Sequence, residues 1–184
     1  MTQALLQGAG YKWWVFGVVS VGLFMTVLDN TGMNIALPTV ARYFEKDLPS
    51  VQWVVVGYNL AITALLLPVG RLADILGRKR VYIAGFAFFA LGAALGTFAT
   101  NLPTVIVARM LQGAGSATLA VNTITIALLV FSDAERGKVL GLMFVVLGVG
   151  AVSGPVVGGL LVSAFGWRAI FAASLPIVVI ALVL

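Results

Sequence analysis

Six long apolar runs follow one another along the chain, separated by short connections that carry nearly all the charge. They extend from Trp13 to Leu37, Val51 to Val69, Val81 to Thr100, Pro103 to Phe131, Val139 to Ser163, and Trp167 to Leu184. Each has about the length of roughly 20 apolar residues that a helix needs to cross a bilayer. Within hydrocarbon every backbone polar group must be satisfied internally, so runs of this kind fold as helices. The expected fold is therefore an all-α membrane protein of six transmembrane helices. Composition agrees: 61% of the 184 residues are hydrophobic and 9% are charged, against about 45–50% and about 25% in soluble domains. A soluble core could not hide that surface, and lipid must cover it. The first run follows Lys12 as a signal peptide would, but it is too long, lacks a convincing cleavage site and precedes five further runs.

The chain has no cysteine and no histidine. Disulfides and thiolate metal sites are excluded, and so are the commonest metal ligand and the commonest general base. No nucleophile–base pair stands out, so neither an enzyme nor a cofactor or metal site is expected. The net charge of +5 reflects topology rather than nucleic-acid binding, because its carriers sit between apolar runs. Lys12, Arg71, Arg78, Lys79, Arg80, Arg136 and Lys138 fall on one side, against Arg42, Lys46 and Arg168 on the other. The positive-inside rule then predicts a cytoplasmic N-terminus in the cell inner (plasma) membrane. Trp13, Trp14, Trp53 and Trp167 near the run ends are expected at the membrane interfaces.

A faint internal repeat is present. Gly70, Leu72 and Gly77 are echoed by Gly159, Leu161 and Gly166, an offset of 89 residues. That offset lays the second-to-third connection on the fifth-to-sixth. Three runs would repeat as three, and an odd number inverts the second copy across the membrane. Two unrelated glycine-rich helix ends would look the same.

Four local signals carry chemistry. In Gly70-Arg-Leu-Ala-Asp74-Ile-Leu-Gly77-Arg78, an acid stands inside a basic loop. Asp74 can pair with Arg78 and cap a neighbouring helix, while Gly70 and Gly77 permit tight turns and close approach. A plain positive-inside loop would need only the basic residues. In the first run, Asp29 precedes Thr31, Asn34 and Pro38. A carboxylate in hydrocarbon is costly and should face the bundle interior. Burial disfavours a carboxyl's charged form, which makes this one a candidate proton carrier; hydration near the outer interface is the plainer alternative. In the fourth run, Arg109 is followed by Gln112 and Gly113. Counting from Pro38 and Pro103, Asp29 and Arg109 lie about 13 Å and about 9 Å deep, in one outer layer where each could sense the other's charge. Arg109 could instead snorkel to the surface. In the fifth run, Gly150, Gly154 and Gly158 recur every four residues beside Pro155 and Gly159. Backbones can pack closely along such a stripe, and proline bends the helix; an ordinary packing face would need no more.

Together these motifs resemble the major facilitator superfamily, and more narrowly the drug:proton antiporters of its fourteen-helix branch. Gly70 to Arg80 looks like the superfamily loop signature, and Arg109-x-x-Gln112-Gly113 like the fourth-span motif. Gly150 to Gly159 is similar to the antiporter signature, Leu28 to Pro38 to the first-span exporter motif, and Trp167-Arg168-x-Ile170-Phe171 to the start of span six. Gly32 departs from the pattern, where a β-branched residue is usual, and adds flexibility after the acid. The resemblance implies proton coupling by Asp29 and Arg109. It implies a cytoplasmic latch of Gly70, Asp74, Gly77 and Arg78, and a leak-limiting bend at Gly154 and Pro155. It implies two inverted three-helix repeats, forming the N-terminal bundle of a twelve- or fourteen-span exporter. The partners implied are a hydrophobic or amphipathic small molecule, protons, the lipid bilayer and a missing C-terminal half, with no nucleic acid. The apolar ending suggests a fragment, which alone should not transport. The rival readings are a facilitator for another solute, such as a metabolite, sugar or organic anion, and a non-transporting structural membrane protein.

Overall fold

The computed structural model describes residues 9–183. It contains six α-helices: α1 (Ala9–Phe44), α2 (Leu48–Leu76), α3 (Arg78–Thr97), α4 (Leu102–Val130), α5 (Arg136–Phe165) and α6 (Arg168–Val183), with a 3-10 turn at Asp133–Glu135. The first five are long and apolar enough to cross a membrane. The sixth has 16 described residues and falls short of that length. The expected end of the last run, Leu184, lies outside the described residues.

Each helix overlaps its expected run, but α2 continues past Val69 to Leu76, α3 stops at Thr97 short of Thr100, and α1 passes its expected end. The first run was expected to stop before Pro38, yet α1 continues through it to Phe44. A proline inside a helix removes one backbone hydrogen bond. Here the residues beyond it repay the loss: Val40 and Ala41 are buried, and Phe44 packs against the same cluster. Elsewhere the starts and stops follow local chemistry. Asn101 caps α4 by accepting from the Thr104 N–H at 2.9 Å, with Pro103 in the first turn. Ser132 and Glu135 form a capping box before α5.

Gly77 and Gly166 end α2 and α5 with φ of 92° and 81°, the only positive-φ glycines among the described residues. Their N–H groups close on Ala73 and Val162 carbonyls at 3.1 and 3.0 Å. A side chain is strained in that backbone conformation, which is why glycine stands at both. Gly70 differs from expectation. It lies inside α2, and a Cβ there would meet Val121 at an ordinary 3.5 Å, so neither a turn nor a close contact requires glycine.

In the packing, α4 is central, flanked by α2 and α3, while α1 lies along α5 and also touches α4 and α6. The buried apolar residues form two clusters. One holds Met33, Ala36 and Val40 of α1, Val105 and Ala108 of α4, Ile170 and Phe171 of α6, and Trp167 just before it. The other holds Val19 and Met25 of α1, Leu119 and Ala127 of α4, and Val178 and Ala181 of α6. On all three helices the residues between the clusters include polar ones: Asp29, Arg109 with Gln112 and Ser116, and Ser174. The outer surface is apolar, with Leu67, Leu129, Phe144 and Val152 all strongly exposed, as a lipid-facing surface must be.

The two ends of the bundle carry the segregated charges. At one, Lys12 pairs with Glu135, and the Lys138 ammonium lies over Trp13. Lys12 beside it, helped by Ser132, holds the Glu135 carboxyl down to about 2, so this carboxylate stays ionised at neutral pH. At the other end, Arg168 donates to the Ala99 carbonyl at 2.6 Å and to the Tyr43 hydroxyl at 3.2 Å. Trp13, Trp14 and Trp53 are exposed, but Trp167 is not. It is buried against Tyr43, Phe44 and Phe171, because the extension of α1 beyond Pro38 covers it.

Candidate functional site

Between the two apolar clusters lies a closed polar layer built around one carboxylate. Arg109 Nη1 donates to Asp29 Oδ2 at 2.5 Å and to Gln112 Oε1 at 2.9 Å. Gln112 Nε2 approaches Asp29 Oδ1 at 3.3 Å, and Ser174 Oγ reaches the same oxygen at 3.0 Å. Arg109 Nη2 contacts Asn30 Oδ1 at 3.5 Å. The guanidinium stacks 4.2 Å from the Tyr58 ring centroid, and the Tyr58 hydroxyl donates to Ser116 Oγ at 2.8 Å. Asp29 is 1% exposed and Arg109 0%. Neither hydration of the acid nor snorkelling of the arginine therefore describes them.

Small residues make this closure possible. A Cβ on Gly113 would meet the Tyr58 carbonyl at 2.5 Å, so glycine lets α2 come close enough to lay Tyr58 over Arg109. On the opposite face, a Cβ on Gly92 of α3 would meet the Ala108 carbonyl at 2.6 Å and the Gln112 N–H at 2.7 Å. Helix α4 is thus gripped from both sides beside Arg109. An ion pair in so dry a place is held by its own geometry: losing one partner strands a buried charge, typically at about 3–5 kcal/mol. The Arg109 Nε has no hydrogen-bond partner among the described residues.

The glycine stripe of α5 faces the other side of α1. A Cβ on Gly154 would collide with Thr31 and lie 2.9 Å from the Leu28 carbonyl, and one on Gly158 would lie 2.7 Å from Gly32 Cα. Gly150 meets Val27 at 3.2 Å. These three are the buried glycines of α5. Gly159 has only an ordinary 3.9 Å contact with Ile35, and Pro155 is half-buried beside the seam. Gly32 is accordingly a contact residue: Gly154 and Gly158 back onto it, and the flexibility expected of it is not its use here. Thr31 hydrogen-bonds within α1 to the Val27 carbonyl at 2.8 Å, while Asn34 and Pro38 are exposed and lie away from the charged layer.

Asp74, in the last turn of α2, accepts from Arg78 at 2.5 Å across Gly77. It does not cap α3, whose N-terminus has no side-chain cap. The loop therefore stands apart from the charged layer. Four members of that layer were not singled out from the sequence: Asn30, Tyr58, Ser116 and Ser174. Ser174 had a signal of its own, as the lone polar side chain of α6 beyond Arg168.

Apolar helices with a lipid-facing rim, enclosing an ion pair sealed from solvent, define a polytopic helical membrane protein. The chain belongs to the Major Facilitator Superfamily, whose sequence profile matches residues 19–184. It is 39% identical over 173 residues to the riboflavin transporter RibZ of Clostridioides difficile, covering 94% of this chain and 38% of that protein. It is 36% identical over 157 residues to the multidrug resistance protein Stp of Mycobacterium tuberculosis, covering 85% of this chain and 29% of Stp. The chain thus spans about a third of the length of these curated relatives. The crystal structure of a bacterial homologue of the human lysosomal transporter Spinster, inward-facing and unoccupied, superposes with a TM-score of 0.81 at 14% identity. That match covers 96% of this chain and 43% of the other, and it establishes the fold.

Proposed function

We propose that the chain is the N-terminal six-helix half of a proton-coupled antiporter that exports drugs or amphipathic small molecules across the cell inner membrane. The observation that carries this reading is the sealed contact between Asp29 and Arg109, joining α1 to α4 between two apolar clusters. Ionisable residues are kept at such depth when their charge does work. Protonation of Asp29 would leave Arg109 without its counter-charge. Losing a buried charge interaction is worth several kcal/mol, enough to bias conformations that differ by a few. Similarity to a multidrug resistance protein favours export. In this reading α6 also spans the membrane, the N-terminus is cytoplasmic, and the cap glycines Gly77 and Gly166, 89 residues apart, mark two inverted three-helix repeats. Asp74 and Arg78, with Gly70 and Gly77, latch the cytoplasmic side; the packed seam at Gly154 and Pro155 limits leak.

The test is efflux of a cationic dye from inverted vesicles holding the whole transporter. Asp29→Asn should abolish the dependence of efflux on an imposed pH gradient, while the protein remains in the membrane. Full gradient-driven efflux in that variant would remove Asp29 from the coupling. A second reading, transport of another solute, draws on the similarity to RibZ. Riboflavin flux in the same vesicles, with no dye flux, would select it.

A further inference from the structure

Ser174 has one proton to give and two acceptors within reach. Its Oγ lies 3.0 Å from Asp29 Oδ1 and 3.1 Å from the carbonyl oxygen of Ile170, one turn back in α6. It is buried, and a hydroxyl can donate once while still accepting. Asp29 divides its two oxygens between different helices. Oδ2 is held by Arg109 of α4, and Oδ1 by Ser174 of α6 with a longer approach from Gln112. We infer that Ser174 is the positioning residue that lets the Asp29 carboxyl take up a proton on Oδ1 without leaving Arg109. This deepens the coupling reading above and rests on it.

With Asp29 ionised, the Ser174 hydroxyl donates to Oδ1. When a hydronium ion delivers a proton, one of its O–H bonds breaks as a new O–H bond forms on Oδ1, water leaves, and no bond within the protein changes. The new O–H donates to Ser174 Oγ, and the serine keeps its own proton, turning it to the Ile170 carbonyl. In both protonation states Asp29 Oδ1 and the Ser174 hydroxyl are then hydrogen-bonded with the heavy atoms in place, and neither of these two oxygens is left without a partner. Among the described residues, the charged or titratable groups facing Asp29 are Arg109 from α4 and Tyr58 from α2. Helices α5 and α6 offer none there, since Arg136, Lys138 and Arg168 lie in their first turns. Ser174 is thus the contact that can reverse its hydrogen bond. Beside it lies a cavity of about 90 Å³, lined also by Leu28, Gly32, Gly158 and Ala173, with room for an added methyl group.

That room supplies the control. Ser174→Thr keeps the hydroxyl, Ser174→Val has the same shape without it, and Ser174→Ala removes it with no added bulk. The readout is acid-induced infrared difference spectroscopy of the full chain in lipid nanodiscs, following the C=O stretch of a protonated carboxyl. Of the six acidic residues, Asp29 alone lies in the charged layer, and its band is the one that Asp29→Asn removes. That band should move to higher wavenumber in Ser174→Val and Ser174→Ala, and return to the wild-type position in Ser174→Thr. A packing role alone would make Val and Thr behave alike. An Asp29 band unmoved in both Val and Ala overturns the role of Ser174 and leaves the coupling reading standing. The absence of any acid-induced band removed by Asp29→Asn overturns both.

Discussion

Asp29 and Arg109 hold each other in place because neither has an alternative. Both side chains are sealed from bulk solvent, the layers above and below are apolar, and the remaining polar neighbours are neutral. Their common depth is legible by counting turns from Pro38 and Pro103, but a turn count says nothing about azimuth. That two side chains at one level point at each other is a property of how α1 and α4 pack, and it emerged only in three dimensions. The same limit hid Tyr58, whose ring reaches Arg109 because Gly113 lets α2 approach. Energetic coupling should follow the contact. Arg109→Gln alone leaves a buried carboxylate unpaired and should destabilise the chain by about 3–5 kcal/mol, as should Asp29→Asn by stranding the guanidinium. The double variant leaves two neutral, hydrogen-bonding side chains and should lose much less than the sum. Reversible unfolding in mixed micelles measures all three. Additive losses would mean that the two residues are energetically independent.

At the level of the helices, the seam between α1 and α5 is set by glycine contacts, and only some of the glycines take part. The four-residue recurrence of Gly150, Gly154 and Gly158 was legible as a packing stripe, since that spacing puts them on one face. Their partner was not. Gly32 read as a flexible point after an acid, whereas it is the surface on which Gly158 rests. A pattern within one helix reports a face; complementarity between two faces needs both helices placed. The end of α1 differs from the sequence expectation for a related reason. Proline's local cost was visible at Pro38, but the burial of Val40 and Ala41 that offsets it was not. These distinctions give opposite signs to one substitution. Gly154→Ala drives a methyl into Thr31 and should cost about 1–3 kcal/mol through overpacking. Gly148→Ala, with nothing within 4 Å of its Cβ, should be neutral or stabilising by up to about 1 kcal/mol through helix propensity. Equal effects at the two positions in the same unfolding assay would contradict the seam.

Across the whole molecule, charge and apolarity divide the chain into two ends and a middle. The division was legible because it is written in composition: basic residues collect in alternate connections, and a bilayer sorts them. The structure adds contacts at both ends. Lys12 of α1 meets Glu135 of the α4–α5 connection, and Tyr43 of α1 meets Arg168 at the α5–α6 connection. Each end of α1 therefore meets a connection more than 120 residues away in sequence. If every helix crosses the bilayer with the N-terminus inside, the five connections must alternate in accessibility. The absence of cysteine from the chain makes this directly measurable, since a single introduced thiol has no background. Exposed positions are available in or within two residues of each connection: Lys46, Lys79, Thr100, Gly137 and Phe165. With a membrane-impermeant maleimide, Lys79→Cys and Gly137→Cys should label only in inside-out vesicles. Lys46→Cys, Thr100→Cys and Phe165→Cys should label only in right-side-out ones. A wholesale exchange of the two groups would reverse the orientation while preserving the bundle. Two neighbouring connections labelling from the same side would mean that the helix between them does not cross, and the paired ends inferred from Lys12 and Arg168 would then not face opposite compartments.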